Sequence, residues 1–264
     1  MIREELFELS LPYYTGRNRK VRVYVPDRED DERLPVIYMT DGQNLFEDNL
    51  PGQLGCWHTR EAVNEVGKAI IVGIHNDDNP LQRAKELTPK SIGSIRCPDD
   101  MPRHIRRMMA CEGEAFDDFV VNTVMPEVEN RFPVQTGRNA AAFCGSSSGG
   151  LQAFFTALSH ADKFCMSGVC SPMFLWYSVR DIVGWTASRL SGSVPYLYIY
   201  SGAVGKLEKM ICESTQAVYD GISEFYPAER LNEVILFDKP HHETAWSLIF
   251  GDFLHTFLTH REEL

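Results

Sequence analysis

Three short apolar runs rich in β-branched residues, Val21–Val25 (VRVYV), Val36–Met39 (VIYM) and Ala69–Ile74 (AIIVGI), open the chain and read as strands. Thr59–Lys68 lies between the second and third and reads as a helix. In Ala115–Arg131, Phe116, Phe119, Val120, Val124 and Val128 recur at helical spacing. A fourth run, Ala140–Cys144, leads straight into a Gly/Ser turn and an apolar helix from about Gly149 to Ser159. Tyr196–Tyr200 and Val234–Phe237 supply two later strands, and a final amphipathic helix carries His255 and His260. Strands alternating with helices predict a mostly parallel central sheet covered by helices on both faces, the α/β class.

No linker divides the chain, so residues 1–264 are expected to form one domain. Two segments read as insertions able to overhang a site as lids: 90–111, basic through Arg96, Arg103, His104, Arg106 and Arg107, and 173–193, whose Trp176 and Trp185 read as exposed aromatics. Composition changes little: 44% hydrophobic and 24% charged residues suit an ordinary globular protein. The net charge of -11 disfavours a nucleic-acid partner, because phosphate binding needs a dense basic face. Charges at Arg3, Glu4 and Glu5 stand where a secretory leader would be apolar, and no stretch approaches a bilayer-spanning length, so a cytoplasmic protein without membrane contact is expected. Seven cysteines, at 56, 97, 111, 144, 165, 170 and 212, include no CxxC pair; reduced thiols and no metal site are expected.

The chemistry enters at Gly145-Ser146-Ser147-Ser148-Gly149-Gly150, which centres Ser147 in G-x-S-x-G between an apolar strand and an apolar helix. A nucleophilic serine on such a strand-to-helix turn needs small neighbours, because a Cβ there meets the adjacent elements. The helix that follows aims its free N–H groups at the reacting oxygen, and the backbone N–H of Ser148 becomes an oxyanion donor. A serine hydroxyl also needs a base, which in this architecture follows the nucleophile and an acid along the chain. Of His160, His241, His242, His255 and His260, the pair His241 and His242 stands in the loop after Val234–Phe237, where such a base belongs.

Tyr38-Met39-Thr40-Asp41-Gly42-Gln43-Asn44-Leu45-Phe46 resembles the YMHDGQNLF segment of one esterase family of α/β-hydrolases, with Thr40 in place of its frequent histidine. That family includes feruloyl and acetylxylan esterases, siderophore esterases and mycolyltransferases. Gly73-Ile74-His75-Asn76, Glu86-Leu87-Thr88-Pro89, Met125-Pro126-Glu127-Val128-Glu129 and Ser171-Pro172 extend the resemblance from about Val21 to Trp246. It implies an α/β-hydrolase fold and a second oxyanion donor at the backbone N–H of Gln43. It also implies substrate contacts near Asp41, Asn44 and Trp57, with plain core packing an open alternative for Trp57. The family's H-x-E-x-x-W pattern falls on His241-His242-Glu243-Thr244-Ala245-Trp246 and favours His241 as the base, with His242 as the alternative.

The acid departs from the pattern. The family places a carboxylate three residues after the glycine that follows the Tyr196–Tyr200 strand, and here that position is Gly205. Glu208 serves if the loop is three residues longer; Asp238, close to His241 in sequence, is the alternative. The resemblance therefore implies a serine esterase acting through an acyl-enzyme on a small-molecule ester, among them acyl or aromatic esters of sugars, with no cofactor. An acyltransferase of the same fold and a catalytically silent carbohydrate-binding or scaffold protein are the competing readings, and a homo-oligomer stays open.

Overall fold

The computed structural model describes residues 3–48, 55–96 and 111–263. Eight strands form one sheet: β1 (Arg3–Ser10), β2 (Asn18–Val25), β3 (Val36–Thr40), β4 (Ile70–Ile74), β5 (Ala141–Ser146), β6 (Met166–Cys170), β7 (Tyr196–Val204) and β8 (Leu231–Pro240). Their order is β1-β2-β4-β3-β5-β6-β7-β8. The pairs β1/β2 and β2/β4 are antiparallel and all others are parallel. Every residue of β3, β4, β5 and β6 is buried, as expected for parallel strands covered on both faces.

Alternation along the strands divides the core. Val36, Tyr38, Val72 and Phe143 face helices α3 (Gly113–Phe119), α4 (Met125–Arg131) and α5 (Ser148–Ser159). On the same side, Val169, Leu197 and Ile199 pack under α6 (Val179–Ala187) and α7 (Lys206–Ser223). Ile37, Met39, Ala142, Cys144 and Tyr198 face the other way, onto α1 (Thr59–Val66) and α8 (Glu243–His260). The short α2 (Pro80–Glu86) follows β4.

The expected helix over Ala115–Arg131 exists but is not uniform. A widened, π-type turn at Val120–Val124 joins α3 to α4 just ahead of Pro126, whose missing N–H cannot continue an ordinary ladder. β1 escapes the apolar-run reading because REELFELS is an edge strand that half-covers only Glu5, Phe7 and Leu9. Trp185 is a correction: it is 7% exposed and stacks on Phe155, with centroids 5.1 Å apart, so α6 is built into the core. In the 90–111 segment, residues 97–110 lie outside the described residues. None of the described helices is long and apolar enough to cross a membrane.

Since β3 to β8 run parallel, the loops after β3, β5, β6, β7 and β8 emerge at one edge of the sheet. Ligands of open α/β sheets bind at that edge.

Candidate active site

The turn between β5 and α5 holds Ser147 at φ 60° and ψ -125°, a conformation a side chain rarely adopts. Its geometry rests on its neighbours. A Cβ on Gly145 or on Gly149 would collide with the Thr40 hydroxyl oxygen, and one on Gly150 would stand 2.5 Å from the Cys170 carbonyl. The Ser147 N–H donates to the Cys170 carbonyl at 2.9 Å, and the Ser147 carbonyl accepts from Met173 at 3.2 Å. Ser146 and Ser148 are each 4% exposed, whereas Ser147 is half-buried.

Glu208 stands in the first turn of α7, after Gly205 at φ 90°, so its carboxylate sits near the positive helix end. It is fully buried, and its Oε2 lies 2.5 Å from His241 Nδ1. Its Oε1 accepts from the Ser171 hydroxyl at 2.7 Å and the Gly202 N–H at 2.7 Å. Burial alone would raise its pKa, but hydrogen bonds from His241, Ser171 and Gly202 outweigh this and hold the carboxyl below the usual glutamate range. Ser171 in turn accepts from Trp246 Nε1 at 3.0 Å, and the indole meets the His241 ring edge-on at 5.1 Å. His241 thus has its Nδ1 engaged by a carboxylate and its ring held edge-on against an indole.

The loop after β3 begins at Asp41, held left-handed at φ 56°. Gly42 presses on the Gly73 backbone so closely that a Cβ would overlap it. Gln43 and Asn44 follow in a single 3-10 turn. Gln43 and Ser148 each stand in the first turn of a helix, where N–H groups have no intrahelical partner. Side chains tie this loop down: Gln43 Nε2 donates to Asn76, and Asn44 Nδ2 donates to Glu243 Oε1 at 2.9 Å, linking it to the helix behind His241.

Several expected site residues do other work. Asp238 is exposed and its carboxylate pairs with Lys239 at 2.8 Å, whereas the Glu208 carboxylate is the one in contact with His241. His242 caps α8, its Nδ1 accepting the Thr244 N–H at 3.2 Å. Asp41, expected to touch substrate, is 4% exposed and bound through both carboxylate oxygens by Arg83. Trp57, for which core packing was the open alternative to lining the site, is 2% exposed and stacks on Trp246, centroids 5.9 Å apart. Sequence reasoning missed Arg83 and the role of Ser171. The Ser171-Pro172 and Glu86-Leu87-Thr88-Pro89 segments did mark both neighbourhoods.

A parallel sheet with a serine on a strained strand-to-helix turn and a carboxylate-bound histidine after the last strand defines the α/β-hydrolase class. The sequence pattern of the family described as Putative esterase matches residues 13–216, and the chain belongs to that family. It is 30% identical over 154 residues to the siderophore triacetylfusarinine C esterase of Aspergillus fumigatus, a match covering 55% of this chain and 46% of that relative. The chain thus spans about half the length of that curated relative. Among solved structures, the BES protein from Bacillus cereus superposes with a TM-score of 0.71 at 16% identity, over 96% of this chain and 94% of that one. Siderophore hydrolase EstA from Aspergillus nidulans does so with a TM-score of 0.68 at 19% identity, over 97% and 95%. Both likenesses establish the fold.

Proposed function

We propose that the protein is a serine carboxylic-ester hydrolase in which Ser147 is the nucleophile, His241 the base and Glu208 the acid. The observation that carries this is the 2.5 Å contact between His241 Nδ1 and buried Glu208, at the sheet edge where the Ser147 turn also emerges. Glu208 fixes the imidazole tautomer and steadies the imidazolium that forms. His241 Nε2 takes the Ser147 proton as the hydroxyl attacks the ester carbonyl, and the N–H groups of Gln43 and Ser148 receive the oxyanion. The imidazolium then protonates the departing alcohol. Water, deprotonated by the same histidine, releases the acid and restores Ser147.

Within this reading the substrate is a small-molecule ester. The Aspergillus fumigatus relative is named for a siderophore ester, and that class leads over acyl or aromatic sugar esters because the relative reaches 30% identity. The catalytically silent reading rested on glycine at position 205, and Glu208 in the next helical turn supplies the carboxylate that glycine lacks.

The test is hydrolysis of p-nitrophenyl acetate by the wild type, Ser147→Ala and His241→Ala, together with labelling by a serine-directed phosphonate. Turnover and labelling in the wild type, both lost in Ser147→Ala, are expected. A wild type that neither turns over nor labels, or a Ser147→Ala variant at the wild-type rate, would sink the assignment.

A further inference from the structure

Away from Ser147 and His241, one side-chain cluster has the chemistry of a borderline-soft metal site. Asp48, Cys56 and His58 each bring one ligand-capable atom to within 4.8 Å of the others. His58 Nε2 lies 3.5 Å from Asp48 Oδ2. Imidazole nitrogen and carboxylate oxygen bound tetrahedrally to one zinc ion at about 2.0–2.2 Å stand roughly 3.4 Å apart, so these two atoms already have the spacing of ligands sharing an ion. The opposite nitrogen, Nδ1, is 3.9 Å from Glu61 Oε2. That is longer than a hydrogen bond, and closing it on metal binding would fix the tautomer and orientation of the imidazole.

The sulfur is prepared in the same sense. Cys56 is fully buried beneath the other two, and its Sγ accepts the His58 N–H at 3.3 Å, a bond that favours the thiolate. A divalent cation bound there would take the place of the thiol proton and offset the charge of the Asp48 carboxylate beside it. Spacing in the sequence conceals the group: Cys56 and His58 are two residues apart, too close for a zinc-finger pattern, and Asp48 joins them from eight residues upstream.

We propose that Asp48, Cys56 and His58 bind a divalent cation of the zinc class, with water completing the tetrahedron and Glu61 orienting the imidazole. The ion is a structural clamp. It ties the chain leaving the Gln43 loop to the chain entering Trp57, and the Trp57 ring backs onto Trp246, the partner of Ser171 and neighbour of His241. The three ligands are not among the groups assigned to ester hydrolysis, so a metal-binding assay reads the site independently of that assignment.

Cobalt(II) added to the chelator-treated, full-length protein reads the site optically, with zinc as competitor. The wild type is expected to bind one equivalent, with a thiolate-to-cobalt charge-transfer band in the near ultraviolet and the intense visible bands of tetrahedral cobalt, all removed by zinc. Cys56→Ser should abolish the charge-transfer band, and His58→Gln and Asp48→Asn should each weaken cobalt binding by about tenfold or more. Glu61→Gln should weaken it by about tenfold, the usual effect of losing an outer-shell partner. Zinc should raise the thermal midpoint of the wild type and leave that of His58→Gln unmoved. No charge-transfer band in the wild type at saturating cobalt, or a band that survives Cys56→Ser, would overturn the proposal. So would His58→Gln and Asp48→Asn binding cobalt as tightly as the wild type. Both are surface substitutions, so the test stays readable even where Cys56→Ser does not fold.

Discussion

Asp41 and Arg83 form a forked ion pair, Nε to Oδ1 at 2.5 Å and Nη2 to Oδ2 at 2.7 Å, between the Gln43 loop and helix α2. The guanidinium also reaches the Ser146 carbonyl at 3.5 Å, so one side chain touches both the proposed oxyanion loop and the nucleophile turn. Asp41 is 4% exposed, and an uncompensated carboxylate there is costly. Arg83→Ala is therefore expected to lower stability by about 3–5 kcal/mol in urea unfolding. Arg83→Lys should recover part of that stability without recovering kcat, because an ammonium offers no fork to hold the loop. Native stability and rate in Arg83→Ala would show that the pair has no such role.

Ser147 carries its strain whether or not it reacts. Ser147→Gly is expected to be more stable than Ser147→Ala by about 1–2 kcal/mol, because glycine adopts φ 60°, ψ -125° without a Cβ clash. Both variants should be inactive. Chemical denaturation of the two side by side decides it, and the opposite order would mean that the turn is not strained.

Glu208 and Asp238 are separated by activity and by pH. Glu208→Gln is expected to lower kcat by about 10³–10⁴-fold through loss of the imidazole's tautomer, whereas Asp238→Asn should leave it close to wild type. The Glu208 carboxyl is held below its ordinary value of 4.5 in the folded state. Its contribution to stability is thus fully present above that value and is lost as pH falls through the lowered folded pKa. Thermal midpoints of wild type and Glu208→Gln should accordingly converge toward strongly acidic pH. A constant gap at every pH would argue against the linkage.

His75 works in the opposite direction. Burial, then Lys20, Arg22 and Arg19, push its pKa down from 6.5 to about 4, and its Nε2 is buried without a hydrogen-bond partner among the described residues. Between those values the unfolded chain takes up a proton that the folded chain refuses, so stability falls as pH drops from about 6.5 to about 4 and is unaffected by this group below that. His75→Gln should flatten that stretch of the stability profile. A slope unchanged by the substitution would assign the acid sensitivity to other groups.

The interior strands were legible because their signal is local. Runs such as VIYM and AIIVGI are buried on both faces, and that burial is written residue by residue. The G-x-S-x-G turn is legible for the same reason, since backbone crowding permits only small residues at Gly145 and Gly149. β1 was not legible, because an edge strand half-open to water carries charges where interior strands carry valine.

The sequence by itself determined the sheet class, the strained serine and the loop in which a histidine must lie. Which carboxylate meets that histidine is visible only in three dimensions. Asp238 is three residues from His241 but lies in the exposed last part of β8 and pairs with Lys239, while Glu208, 33 residues away, enters from the first turn of α7, where it is buried. Asp41 and Trp57 were likewise assigned by partners remote in sequence, Arg83 and Trp246. Backbone sterics and burial are short-range along the chain, but the pairing of a buried charge is a property of whatever the fold places against it.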